Sequence, residues 1–117
     1  MTTPNPIRGQ LWWVDWSPGR GSEQTGVRPA LVIQTDDANV NPRYPNTIVL
    51  TVSTKGHHVT SHVEVEPTSA NGLREISFIK CEQVMTISKR RLREQIGILE
   101  TSHMDRVASA LRKVLVL

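Results

Sequence analysis

Leu11-Trp12-Trp13-Val14-Asp15-Trp16 and Ala30-Leu31-Val32-Ile33-Gln34 flank a loop that runs Gly19-Arg20-Gly21-Ser22-Glu23-Gln24-Thr25-Gly26. The first segment is dense in aromatic and β-branched side chains, which is the composition of a strand. Alternation sets Trp12, Val14 and Trp16 on one face and Leu11, Trp13 and Asp15 on the other. Ser17-Pro18-Gly19 ends it. Three glycines among polar residues make the next stretch a connection rather than a helix. Arg28-Pro29 then opens a second strand, whose unbroken apolar run predicts burial on both faces.

Outward from this pair the same reading continues. Asp36 to Asn46 holds two Asp, three Asn and two Pro and reads as a long loop. Thr47 to Val52 is a third strand that ends in the polar turn Ser53-Thr54-Lys55-Gly56. His62-Val63-Glu64-Val65-Glu66 alternates, with the valines inside and His62, Glu64 and Glu66 outside. Pro67 to Gly72 is loop, and Ile76 to Val84 is a fifth strand. Ser88 is placed to cap a short helical turn over Lys89–Arg93, and Ile96 to Leu99 is a sixth strand. The clearest helix is last. Ser102 and Asp105 suit a capping-box start, and Met104, Val107, Ala108, Leu111, Val114 and Leu115 form one apolar stripe. Five or six short strands and a terminal helix predict an α+β fold on a strongly bent sheet or small barrel.

The chain has 117 residues, with no repeat and no linker-like tract, so residues 1–117 read as one domain. Lys plus Arg is 14 and Asp plus Glu 11, a net +3 that permits a nucleic-acid partner without requiring one. The single cysteine, Cys81, excludes an internal disulfide scaffold. It reads as an inert buried thiol. No apolar run reaches bilayer length, and Met1 to Pro6 lacks a signal-peptide core. The expected location is the cytoplasm, with no membrane association.

Several groups of residues are candidates for chemistry. Gly21-Ser22-Glu23-Gln24 followed by Arg28 at a strand start can hold a phosphate, because backbone N–H groups and a guanidinium converge on it. It is neither a Walker loop nor a dinucleotide fingerprint, and a plain hairpin loop with a surface arginine is the simpler reading. Ser53 and Thr54 close the third strand; they join Arg28 only if the second and third strands are neighbours. Lys89-Arg90-Arg91-Leu92-Arg93 could track a nucleic-acid backbone, although a solvated face is the commoner outcome. His57, His58 and His62 invite a metal reading. His58 and His62 on one strand would stand ~13 Å apart at ~3.3 Å per residue, and no cysteine or close carboxylate completes the set, so no metal site is expected. His57 and His58 remain possible polyanion donors. Three tryptophans on one strand cannot all face one interior, and Trp16, nearest the glycine loop, is the expected exposed one. Glu82 and Gln83 are polar residues within an apolar strand, an exposed stripe or ligand partners.

Taken in order, Arg8-Gly9, Trp13-Val14-Asp15, Pro18, Gly21-Ser22-Glu23-Gln24, Val27-Arg28-Pro29-Ala30-Leu31-Val32-Ile33-Gln34, Asp36 with Asn39, and Glu82-Gln83 resemble the MazF/PemK family of toxin ribonucleases. The resemblance implies a compact SH3-like antiparallel β-barrel of the CcdB/MazF kind with a C-terminal α-helix, working as a homodimer. It implies metal-independent, sequence-selective cleavage of single-stranded RNA that leaves 2′,3′-cyclic phosphate and 5′-hydroxyl ends. It also implies an antitoxin partner (MazE-like) whose tail covers the RNA groove, and no cofactor.

Residue by residue, Arg28 matches the family's catalytic arginine. Ser53 stands where the family usually has a catalytic threonine, and Ser53-Thr54 reads as the usual pair swapped, so the two hydroxyls remain alternatives. Gly21, Ser22, Glu23 and Gln24 match the loop that lines the active groove. Trp16 stands where an apolar or aromatic residue meets substrate, and Glu82 and Gln83 match a strand facing RNA. The chemistry is coherent. RNA brings its own nucleophile, the 2′-hydroxyl, so the protein must align it and stabilise added negative charge. A permanently charged, forked arginine suits that task, with proton donation to the leaving oxygen a secondary role. Glu23 or a loop histidine is the candidate general base. The competing readings are a non-catalytic toxin of similar fold that poisons DNA gyrase, and an inactive RNA-binding barrel.

Overall fold

The computed structural model describes residues 3–17 and 26–117. Strands β1 (Gln10–Asp15), β2 (Val27–Val32), β3 (Asn46–Ser53), β4 (His62–Val65), β5 (Ser77–Ser88) and β6 (Leu92–Ile98) form one antiparallel sheet in the order β4-β5-β3-β2-β1-β6. A short helix α1 (Asp36–Asn39) precedes β3, and α2 (Thr101–Leu115) ends the chain. The strand order has two ends: β4 and β6 do not pair, so the sheet is open. The expected antiparallel fold with a C-terminal helix is present, as an open six-stranded sheet with apolar clusters on both faces.

Those two clusters explain the unbroken apolar run at the start of the chain. On one face Leu11, Leu31, Leu50, Val52, Val63, Val65, Ile79 and Cys81 meet Val107 and Ala110 of α2, with Met104, Leu111 and Val114 packed at the rim. On the other face Val14, Trp16, Ala30, Val32, Val49, Ile87 and Leu92 close together. Adjacent residues of β2 therefore enter different cores, as a strand covered on both sides requires. Met104, Val107, Leu111 and Val114 of the α2 stripe pack as their spacing predicts, whereas Leu115 is exposed and Ala110 is buried in its stead; the helix start also differs. The helix begins at Thr101 after Glu100, with no side-chain cap, and Ser102 and Asp105 are both exposed.

The loop expected over 36–46 contains α1, organised by one buried side chain. The Asn39 amide donates to the Gln34 carbonyl at 2.9 Å, and its Oδ1 accepts from Gln34 Nε2 at 3.0 Å and from the Thr47 hydroxyl at 2.8 Å. The basic run is also structural. The Ser88 hydroxyl caps the Lys89–Arg91 turn by accepting from the Arg90 N–H. Lys89 is buried, its ammonium donating to the carbonyls of Ala38 and Asn41 at 3.1 and 3.2 Å. Arg91 donates to the carbonyls of Asp15 and Ser17, and Arg93 to the Asp15 carboxylate at 2.9 Å. The Ser17 N–H and then Arg93 hold the Asp15 carboxyl below its ordinary pKa. Lys89, Arg91 and Arg93 thus anchor α1 and the end of β1, while the Arg90 side chain is exposed. No helix among the described residues is long and apolar enough to cross a membrane.

Candidate active site

The groove begins at a proline. In the β2–β3 ladder, Ile33 donates its N–H to the Ile48 carbonyl at 2.9 Å. Antiparallel hydrogen bonding alternates, so the next positions facing β3 are Leu31 and then residue 29. Residue 29 is Pro, which has no N–H to give. Pairing of β2 with β3 stops at Ala30–Thr51, while β2 continues against β1 through Pro29–Trp13, Arg28–Val14 and Val27–Asp15. Meanwhile β3 runs on against β5 to Ser53–Phe78. The two central strands part, and a groove of about 430 Å³ opens between them.

Arg28 and Pro29 line one side of that groove and Ser53, Thr54 and Lys55 the other, with Glu75 and Ser77 beyond. Register parity sets Arg28 on the same sheet face as Ala30, Thr51 and Ser53. The Ser53 oxygen accepts from the Lys55 N–H at 3.0 Å, which fixes the turn and leaves the hydroxyl proton available to donate. A second pocket of about 350 Å³ adjoins the first, and the two share Trp13, Pro29, Thr54, Glu75 and Ser77. Arg74, Gln95 and Ile96 complete its far side. Among the described residues, Arg28, Lys55 and Arg74 against one carboxylate, Glu75, make the combined surface attractive to phosphates.

The wall bearing Arg74 and Glu75 is held by a buried asparagine. Asn71 Oδ1 accepts from the N–H groups of Thr68 and Leu73, both at 3.0 Å. Its amide donates to the Glu66 carbonyl at 3.0 Å and to Glu100 Oε1 at 3.2 Å. The Thr68 hydroxyl donates to the other Glu100 oxygen at 2.5 Å. Gly72 follows at φ +69°, and a Cβ there would stand 2.2 Å from the Ile96 carbonyl oxygen. The loop thus lies directly on β6.

The second and third strands are neighbours, so the condition on which Ser53 and Thr54 join Arg28 is met and the three line one groove. Gly21, Ser22, Glu23 and Gln24 lie outside the described residues. Trp16 requires a correction. It was expected exposed and is 7% exposed, because its face of β1 is covered by Ile87 and Leu92. The tryptophan in the groove is Trp13, 39% exposed opposite Pro29. The signal for it lay in the same alternation, since Trp13 occupies the other face and Pro29 marks where cover ends.

His57, His58, Glu82 and Gln83 do not line the groove; they gather at the β4–β5 corner. Pairing of β3 with β5 runs to Leu50–Val84 and resumes at Thr51–Lys80, so Cys81, Glu82 and Gln83 form a bulge on β5. Gln83 accepts the Thr51 hydroxyl. Glu82 meets His62 Nε2 at 3.0 Å, and His62 Nδ1 accepts the His57 N–H at 3.0 Å. That second bond assigns the ring proton to Nε2, facing the carboxylate. Burial opposes ionisation of Glu82, but the His62 contact outweighs it and the carboxyl sits below its ordinary pKa. His62 was expected outside; its side chain is 6% exposed, stacked under His57. His58 contacts Glu64 at 3.4 Å. Among the described residues no group of three or more His, Cys, Asp and Glu is arranged to hold a metal ion. Burial, with Glu82 beside it, pushes the Cys81 thiol up to about 11, as befits an unreactive core cysteine.

Comparison with known proteins yields one consistent picture. The family described as "PemK-like, MazF-like toxin of type II toxin-antitoxin system" matches residues 7–115. A Bacillus subtilis protein named Endoribonuclease EndoA is 41% identical over 108 residues, covering 90% of each chain. Endoribonuclease MazF of Staphylococcus epidermidis is 38% identical over 107 residues, covering 89% of this chain and 86% of its own. Among solved structures, MazF from Deinococcus radiodurans superposes with a TM-score of 0.79 at 22% identity, covering 97% of this chain and 99% of its own. A mycobacterial endoribonuclease in complex with its cognate antitoxin gives 0.78 at 20% identity, with 96% of each chain covered.

Proposed function

Because the chain belongs to the PemK-like, MazF-like toxin family of type II toxin–antitoxin systems, it is an endoribonuclease toxin with an antitoxin for a partner; we propose that it cuts single-stranded RNA at the groove between β2 and β3. The observation that supports this reading is the meeting of Arg28 with Ser53 and Thr54 where Pro29 parts the strands.

The substrate's 2′-oxygen attacks the adjacent phosphorus as the bond to the 5′-oxygen breaks, giving a 2′,3′-cyclic phosphate and a 5′-hydroxyl. The 2′-proton passes to a base, and the departing oxygen takes one up. Arg28 forks onto the phosphate and stabilises the added charge. Ser53, on the Arg28 face, donates to a phosphate oxygen, with Thr54 the alternative donor. The base is Glu23 or Glu75; Glu75 lines both pockets. The nucleophile belongs to RNA, so no metal or cofactor enters the step and DNA is inert. Single strands are favoured because unstacked bases expose their edges. The proposal extends to a homodimer in the cytoplasm, where its RNA substrate resides. There the antitoxin's tail covers the cationic groove, where basic side chains attract acidic ones as they attract phosphates.

The test is incubation of the folded, antitoxin-free protein with a long single-stranded RNA in EDTA, followed by end-mapping. Cleavage at a recurring short motif with 5′-hydroxyl ends is expected. Arg28→Ala should lower kcat by at least about 10²-fold, by analogy with loss of an oxyanion donor, and Ser53→Ala should cost more than Thr54→Ala. Intact RNA would refute the reading, and near-normal activity in Arg28→Ala would refute the arginine's role.

A further inference from the structure

We propose that Trp13 and the pocket behind it form a nucleobase subsite, in which the base next to the scissile phosphate stacks on the indole. The proposal rests on the endoribonuclease reading of the same groove and adds a residue that reading does not use.

Trp13 stands apart from the other two tryptophans. Trp16 belongs to a core cluster, and Trp12 packs against that cluster with its indole N–H donated to Gln10 Oε1 at 2.9 Å. Trp13 enters neither cluster and is 39% exposed. A large indole left open to water has a reason to be there when a partner covers it. Its cross-strand neighbour is Pro29. In this register Trp13–Pro29 is the non-hydrogen-bonded kind of pair, because Trp16 donates to Gly26 at 2.8 Å and the pattern alternates. Side chains come closest in such pairs, so the rigid proline ring stands beside the indole and both line the groove.

Both pockets have Trp13 in their walls, and only the first has Arg28 and Ser53. A phosphate held at Arg28 therefore lies in the first pocket, and the indole stands in the wall that this pocket shares with the second. That pocket, about 350 Å³, mixes the apolar surfaces of Leu73 and Ile96 with Glu75, Gln95 and Arg74. Its size falls within the range of small-molecule sites, and apolar walls with a few polar groups suit a flat heterocycle with hydrogen-bonding edges. Stacking tolerates any base, so Trp13 supplies position and the polar rim supplies preference.

The test is a double-mutant cycle between protein and RNA, using an oligonucleotide that spans a mapped cleavage site. Trp13→Ala is compared with wild type on the normal RNA and on RNAs with an abasic residue on either side of the scissile phosphate. Trp13→Ala should raise KM by about 10-fold. One abasic position should cost wild type a similar factor and cost Trp13→Ala almost nothing more, and Trp13→Phe should restore most of the loss. In parallel, titration with RNA bearing a single 2′-deoxy residue at the cut site should quench the exposed indole's fluorescence in wild type and not in Trp13→Ala. Additive effects of Trp13→Ala and both abasic substitutions, or binding without quenching, would overturn the subsite. The binding arm needs no cleavage, so wild-type protein that quenches but does not cut would sink the enzyme reading and leave the subsite standing.

Discussion

Replacing Asn71 by alanine tests whether the groove wall is built by a single buried amide. The side chain is 0% exposed and makes four hydrogen bonds, two accepted and two donated. Truncation removes all four and strands their partners to different degrees. The Thr68 N–H and the Glu66 carbonyl lie on exposed residues that recover water, whereas Leu73 and Glu100 are half-buried. At about 1 kcal/mol net for each bond, with partial rehydration, the expected loss is about 3 kcal/mol. For a domain of this size that is a fall in Tm of roughly 10–15 °C. The loop cannot slide to compensate, because a Cβ at Gly97 would stand 2.4 Å from the Asn71 carbonyl carbon, so the backbones are already in contact. Urea unfolding of wild type and Asn71→Ala gives the stability difference, and hydrogen exchange at Leu73 to Glu75 reports the wall itself. RNA cleavage should lose kcat/KM through KM alone if Glu23 is the base, because Arg28 and Ser53 sit on other strands, and through kcat as well if the base is Glu75 on the loosened wall. A stability loss under about 1 kcal/mol, or unchanged exchange in the loop, would refute the account of Asn71 as the wall's anchor.

Two further outcomes follow from polar contacts around the sheet. Lys89→Met keeps the side chain's bulk but leaves the Ala38 and Asn41 carbonyls without a donor. It should cost about 2 kcal/mol in urea unfolding while the salt dependence of RNA binding stays as in wild type; a shallower salt slope would return the lysine to the RNA interface. Glu100 has its carboxyl held below its ordinary 4.5, first by the Thr68 hydroxyl and further by Asn71 and His103, against a desolvation cost. A depressed folded pKa means stabilisation that is present above 4.5 and disappears as pH falls through the folded value. Glu100→Gln should therefore be less stable than wild type at neutral pH, with the gap closing on acidification below 4.5; a gap independent of pH would contradict the assignment.

The parts of the fold that the sequence made legible are those governed by local period. The strand count and the spacing of α2 follow from local apolar pattern, and Ser88 caps its turn as its hydroxyl predicts, but β5 runs four residues past Val84 to Ser88 and β6 begins at Leu92, inside the expected helical turn, because residues there pair with β3 and β1. What escaped was long-range. Nothing local distinguishes Lys89, buried under α1, from Arg90, which is exposed, because the carbonyls that hold Lys89 lie 48 and 51 residues away. Ser102 and Asp105 match a capping pattern, but the cap position falls two residues earlier at Glu100, so the pattern is never used. The open sheet was equally hidden, since strand period is the same whether edges meet or not.

The site divides along the same line, and Pro29 shows why. As a residue in a strand interior it reads as a weak point, and its consequence depends on which neighbour its missing N–H would have faced. Had residue 29 faced β1, the proline would have broken the β1–β2 pairing and left β2 and β3 zipped. Because it faces β3, the β1–β2 ladder survives and the gap opens beside Arg28 instead. The same parity sets Arg28 and Ser53 on one face and aims Trp13 toward the opening while Trp16 goes to the core. A one-residue shift in register would exchange the two tryptophans and turn Arg28 to the α2 side of the sheet. The arginine, the hydroxyl and the exposed indole are thus a single consequence of one register. An insertion that slips it, such as one extra residue between Pro29 and Ala30 of β2, turns Arg28 away from the Ser53 face and should abolish cleavage with every groove residue still present.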